Sequence, residues 1–129
     1  MSKIKKKKVL NYDIVIVRPY ITLPNEGGVV ARYLVLQKYL KYNGLRSAIY
    51  TSTFHHNSKT ERRINDGYSE EIFYLNAGTY KKNLSIQRIL YELKFIYKVY
   101  HALKKIKVSA VLIGEPLFGA GLLAVCLKL

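Results

Sequence analysis

The chain has 129 residues, half of them hydrophobic, and a mean hydropathy of −0.02, which allows one substantial core and is too little for two. Its 22 Lys and Arg against 8 Asp and Glu leave a formal charge of +14, so the expected partner is anionic: a phosphorylated ligand, an acidic membrane surface or nucleic acid. A single cysteine, Cys126, excludes an internal disulfide and fits a reducing compartment; its apolar setting predicts a buried small side chain rather than a nucleophile.

Residues 1–11 read as a basic tail led by the lysine-rich stretch from Lys3 to Lys8. The apolar segment after it is short and carries Asp13 ahead of any small-residue cleavage site, which argues against a secretory signal. Residues 13–17 are β-branched and apolar from Ile14 to Val17, the pattern of a parallel strand covered on both faces. A proline-bearing loop then leads to Gly27 and Gly28. With no Cβ in the way, and with the free N–H groups of a helix start beyond, paired glycines here suit the close approach of an anion. Tyr33, Leu36 and Leu40, widened by Val29, Val30 and Leu34, give the helical period, and Asn43-Gly44 stops it.

Residues 47–51 predict a second strand, followed by a polar loop that contains His55 and His56. Residues 59–68 carry charge without periodicity and read as an exposed excursion; residues 71–75 predict a short strand at a sheet edge. From 85 to 103 the stripe Ile86, Ile89, Leu90, Leu93, Ile96, Tyr97, Tyr100 and Leu103 predicts a long amphipathic helix, with Arg88, Lys94, Lys98 and Lys105 on its other face. Residues 110–113 supply a last strand. The stretch 108–127 is apolar enough to suggest a membrane span, but Glu115 and Pro116 interrupt it between Gly114 and Gly119, dividing it into strand, turn and helix.

The order is a βαβ series, and it predicts an α/β, Rossmann-like, mostly parallel sheet with helices on both faces. Ligands of such sheets sit at the strand carboxyl ends, here residues 19–28, 52–56 and 114–119. The last helix reaches Leu129 without a cap, so 12–129 reads as a partial domain, incomplete at its carboxyl end.

Pro24-Asn25-Glu26-Gly27-Gly28-Val29, followed by the helix from Tyr33 to Leu40, resembles the amino-terminal domain of the retaining GT-B glycosyltransferases called family-4-like. Three later segments follow the order of that family: Tyr50 to His56, Tyr80-Lys81-Lys82-Asn83 into the long helix, and Val111 to Ala124 around Gly114-Glu115-Pro116. The resemblance covers the chain from Tyr12 onward.

It implies sugar transfer from a nucleotide-sugar donor to a polysaccharide or lipid-linked acceptor in a cleft between two Rossmann-like domains. No further cofactor is implied, because the nucleotide sugar enters as substrate. By the same resemblance Gly27 and Gly28 would lie against the donor phosphates. His55, His56, Glu115 and Pro116 would line the acceptor side, and the carboxyl-terminal domain that embraces the donor sugar would have to come from outside this sequence. Many members carry a histidine immediately before the Glu-Pro pair; this chain has Gly114.

Plainer roles compete with these. The glycines also make a tight strand-to-helix turn, Glu115 is also a turn former, His101 is structural within its helix, and a loop His pair is ordinarily exposed to solvent. No Cys or third His stands at ligand spacing, so no metal site is expected. The lysines at 94, 98 and 105 suit attachment to an anionic membrane, which would make the chain a cytoplasmic protein held peripherally at the bilayer. The alternatives are a non-catalytic basic module binding nucleic acid or membrane, or an inert remnant. Specific nucleic-acid recognition is not expected, since no RRM, KH or helix-turn-helix pattern appears and Tyr33, Tyr97 and Tyr100 fall on stripes predicted to be buried.

Overall fold

In a computed structural model of the chain, residues 9–26, 32–62, 71–114 and 117–128 are described. The elements run β1 (Asn11–Val17), a 3₁₀ turn (Pro24–Glu26), α1 (Arg32–Tyr42), β2 (Ser47–Ser52), β3 (Phe54–His55), β4 (Thr60–Glu61), β5 (Ile72–Leu75), α2 (Ile86–Leu103), β6 (Lys107–Ile113) and α3 (Ala120–Lys128). Four strands form one parallel sheet in the order β5-β2-β1-β6. The expected α/β class is therefore observed, and the third strand lies at an edge as its short length suggested.

Each face of the sheet has its own core. Val15, Val17, Ala48 and Tyr50 point to one side, where Tyr91, Phe95, Ile96, Val99 and Leu103 of α2 and Ala120 and Leu123 of α3 cover them. Ile16 and Ile49 point to the other, against Leu34 of α1 and against Ile21 and Leu23 from the loop after β1. With helices on both faces, β2 is buried at every position, its polar Ser47, Thr51 and Ser52 included.

The ends of α1 and α2 follow local chemistry. At α1, Gly44 takes φ 75°, Leu45 N–H bonds to Leu40 C=O and Gly44 N–H to Lys41 C=O. That is a Schellman stop, and it needs the left-handed backbone a glycine adopts without Cβ strain. At α2, Ser85 is the N-cap and its hydroxyl accepts from Arg88 N at 3.2 Å, satisfying one of the free donors of the first turn.

The stripe expected on α2 is corrected. The buried line is Tyr91, Phe95 and Val99, with Glu92, Ile96 and Leu103 beside it, while Ile86, Ile89, Leu90 and Tyr97 are exposed. Helical spacing alone fits either face; the sheet selects the one carrying the large aromatics, which fill more volume. Lys94 and Lys98 are exposed next to Leu90 and Tyr97, whereas Lys105 lies past the end of the helix at Leu103. Cys126 is partly exposed rather than buried. Among the described residues no helix is long and apolar enough to cross a membrane.

Candidate functional site

After β1 the chain leaves for α1 on one face of the sheet, and after β6 it leaves for α3 on the other. Where two adjacent parallel strands send their connections to opposite faces, a crevice opens outside their carboxyl ends, and this is where doubly wound sheets bind ligands. Arg18 and Gly114 stand at that point. Gly114 N–H bonds to Val17 C=O at 3.0 Å, and Arg18 N–H to Tyr50 C=O at 3.0 Å.

Gly114 has a steric reason to be glycine. A Cβ there would come within 2.8 Å of Arg18 Cδ and of the Tyr33 hydroxyl, and 2.9 Å from Arg18 Nη1. The Arg18 guanidinium bonds the Tyr33 hydroxyl at 3.4 Å and packs over the same ring, 5.1 Å from its centre, with Arg32 at 5.4 Å. The space a histidine would need ahead of Glu115 is thus taken by an Arg–Tyr pair reaching across from β1 and α1. Gly27, Gly28, Glu115 and Pro116, which flank this point in sequence, lie outside the described residues.

Beside it stands a polar and aromatic cluster between the loop after β1 and the start of α2. Glu92, buried on α2, accepts from the Tyr20 hydroxyl, from Arg88 Nε at 3.0 Å and from Phe118 N–H. Arg88 also packs over the Tyr20 ring and donates to Asn83 C=O. The carboxylate is fully engaged in joining the first loop, α2 and the turn before α3, which suits a brace better than a base. His56 bonds the Tyr80 hydroxyl through Nδ1 and packs on Tyr20, while Lys59 lies over the Tyr80 ring and donates to Asn83.

Burial lowers the pKa of His56, and the nearby Lys59 and Arg88 cations lower it further, so the imidazole is neutral at pH 7. Burial likewise raises Tyr20 and Tyr80, keeping both as phenols. Lys59 holds a left-handed backbone, φ 57°, an uncommon conformation for a side-chain-bearing residue that tends to accompany functional loops. An open cavity of about 640 Å³ adjoins the cluster, walled by Leu84, Ile86, Ile89, Leu117 and Phe118, with Arg88 and Glu92 also in its lining.

His55 turns the other way. Its Nδ1 meets Ser58 Oγ at 2.7 Å and its Nε2 is 3.5 Å from Glu26 Oε2. Arg62, its side chain completely enclosed, donates to both Glu26 oxygens at 2.9 Å and to Ile21 C=O. Glu26 in turn accepts from Leu23 N–H at 2.8 Å. Burial pulls the Arg62 pKa down and the Glu26 carboxylate resists. The hairpin of β3 and β4 is thereby pinned to the loop that leads into Gly27.

Three expectations are corrected here. The adjacent histidines are half-buried and not gathered at one site: His55 ends β3 and bonds Ser58, while His56 begins the turn after it and bonds Tyr80. Of the excursion expected over 59–68, residues 63–68 lie outside the described residues and Thr60 and Glu61 are exposed, but Arg62 is enclosed. Tyr97 is exposed rather than buried, while Tyr33 and Tyr100 are half-buried. Among the described residues no three His, Cys, Asp or Glu side chains are grouped to hold a metal ion. Sequence reasoning missed Tyr20, Tyr80, Lys59 and Glu92; the spacing of Arg88 and Glu92, four apart on a helix, was the one legible signal for this cluster. Compared with known proteins, the chain matches no family model, no curated protein and no solved structure.

Proposed function

We propose that the chain is part of the amino-terminal domain of a sugar-transferring enzyme of the GT-B type, binding a nucleotide-sugar donor and one side of a polysaccharide or lipid-linked acceptor. The observation that carries this reading is the crevice between β1 and β6, where Arg18 and Gly114 meet beside the Tyr20, His56 and Arg88 cluster. Gly27 and Gly28 would present backbone N–H groups to the donor diphosphate, with Glu115 and Pro116 on the acceptor side. His56, neutral and half-buried, would orient an acceptor hydroxyl rather than bind charge. His55 sits behind the loop and would act only by holding it.

Transition-state stabilisation in a two-domain cleft needs groups from both sides. The 129-residue polypeptide alone is therefore expected to bind nucleoside diphosphate sugars weakly and not to transfer them. Calorimetric titration with a panel of nucleotide sugars, alongside incubation with lipid-linked acceptors, tests both halves. Absence of binding to every donor, or sugar transfer by the pure chain, would refute the reading.

Attachment to an anionic bilayer is the second part of the proposal. It is favoured by the exposed face of α2, where Ile86, Leu90 and Tyr97 lie among Lys94 and Lys98. Apolar side chains there can enter the head-group layer while each lysine gains about 1 kcal/mol from acidic lipid. Lys105 and the lysines from Lys3 to Lys8 would add to this at the cytoplasmic surface.

A further inference from the structure

Charge is out of balance at one point beside the crevice. Lys59 Nζ donates to Asn83 Oδ1 at 2.5 Å, stands 3.4 Å from His56 Nδ1 and covers the Tyr80 ring; among the described residues no carboxylate meets it. Its charged neighbour is a second cation, Arg88, whose Nη1 donates to the C=O of the same Asn83 at 3.0 Å. Partial burial and that cation together lower the Lys59 pKa. Glu92 does not neutralise the pair. Its Oε1 accepts from Tyr20 and Arg88 Nε and its Oε2 from Phe118 N–H, which balances Arg88 and leaves Lys59 over. Arg88 Nη2 has no partner among the described residues.

Backbone and helix point to the same place. Lys59 holds φ 57°, where glycine or asparagine sits with less strain, so a turn that served closure alone would gain nothing from lysine. Ser85, two residues past Asn83, caps α2, and the N–H dipoles of a helix start favour an anion. Asn83 and Arg88 also line the open cavity of about 640 Å³, which leaves room beside the pair for whatever an anionic group is esterified to.

We propose that Lys59 and Arg88 hold the terminal phosphate of a phosphate monoester, which, on the sugar-transfer reading of this crevice, is the acceptor. Such a group carries about −1.5 to −2 charge at pH 7 and three strong acceptor oxygens. Lys59 meets it as a point charge and Arg88 through the open edge of its guanidinium. The diphosphate of a nucleotide sugar has no terminal phosphate, so donor and acceptor are sorted between the Gly27-Gly28 side and this one. A soluble sugar phosphate and a lipid phosphate share this chemistry.

NMR titration of the 129-residue chain with methyl phosphate, decyl phosphate and acetate at constant ionic strength tests this. Methyl phosphate is expected to give saturable shifts at Lys59, Asn83 and Arg88. It also raises the His56 pKa, because a bound dianion favours an imidazolium that burial, Lys59, Arg88 and His55 disfavour, Glu92 favours, and the neutral Tyr20 and Tyr80 flank. Lys59→Asn, at ease in this backbone, weakens binding by about tenfold or more with the circular dichroism spectrum unchanged. Lys59→Arg retains binding, as does Lys38→Asn, the same loss of charge at an exposed position of α1. Decyl phosphate bound no tighter than methyl phosphate identifies a soluble ester; tighter binding, with shifts spreading to Leu84 and Ile89, identifies a lipid phosphate. Donor binding is read separately at Arg18 and Gly114: methyl phosphate bound without any donor refutes the sugar-transfer reading and leaves this site standing, whereas a donor bound without methyl phosphate refutes this proposal alone. Acetate bound as tightly as methyl phosphate overturns it, since a carboxylate from another polypeptide would then serve. So do an affinity indifferent to Lys59→Asn and shifts that follow every lysine alike.

Discussion

Replacing Glu26 with glutamine isolates the ion pair that fixes the loop ahead of Gly27. The Arg62 side chain has no exposure, and two of its bonds, both 2.9 Å, go to Glu26. Taking away the carboxylate charge leaves an enclosed guanidinium facing a neutral amide, and removing one partner of a buried pair costs about 3–5 kcal/mol. Set against the roughly 5–15 kcal/mol that holds a domain folded, this is a large share. Arg62→Met should cost less, about 1–3 kcal/mol, because it removes the expensive buried cation, and Glu26 keeps its bond from Leu23 N–H together with partial access to water. The double variant should then cost little more than Arg62→Met alone, so the departure from additivity approaches the full cost of Glu26→Gln, about 3–5 kcal/mol. Urea unfolding followed by far-UV circular dichroism gives all four values from midpoints at constant slope. If Glu26→Gln costs less than Arg62→Met, or if the two changes simply add, the pair does not hold this loop.

Gly114→Ala should destabilise by about 1–3 kcal/mol, since its methyl overlaps Arg18 and Tyr33 and the site must overpack or shift; Arg18→Ala in the same background should recover most of the loss in a denaturant titration. His56 has a folded-state pKa below its ordinary value of 6.5, so the unfolded chain binds its proton first. The contribution of His56 to stability is thus intact above about pH 6.5 and is lost as pH falls from there through the folded pKa; the pH dependence of the melting temperature should flatten over that range in His56→Gln. Gly28→Val should abolish nucleotide-sugar binding while leaving the circular dichroism spectrum unchanged, and unchanged affinity would return the glycine pair to a turn-forming role. Lys94→Glu with Lys98→Glu should reduce flotation with acidic liposomes and leave binding to neutral ones unaltered.

The sheet was legible because its signals are local. The run Ile14-Val15-Ile16-Val17, the Asn43-Gly44 stop and the apolar 110–113 segment each declare an element without reference to anything distant. Facing was harder: on α2 both Leu90 and Phe95 belong to plausible stripes, and only contact with Val15, Val17 and Tyr50 decides between them. The crevice was legible as a location, since strand carboxyl ends follow from parallel order. Its contacts were not. Arg62 meets Glu26 across 36 residues and Tyr20 meets Glu92 across 72, and no periodicity connects such positions. Likewise Gly114, noted in sequence for the histidine it lacks, acquires its reason only when Arg18 and Tyr33 are seen to occupy the space.

The most direct test of the account is an amide NMR titration of the 129-residue chain with nucleoside diphosphate sugars. The account predicts saturable shifts confined to Arg18, Tyr20 and Gly114 at the carboxyl ends of β1 and β6 and to Gly27 and Gly28, with β5 and the far end of α2 unmoved. Shifts that instead follow Lys94, Lys98 and the amino-terminal lysines, reproduced equally by any polyanion, would contradict it.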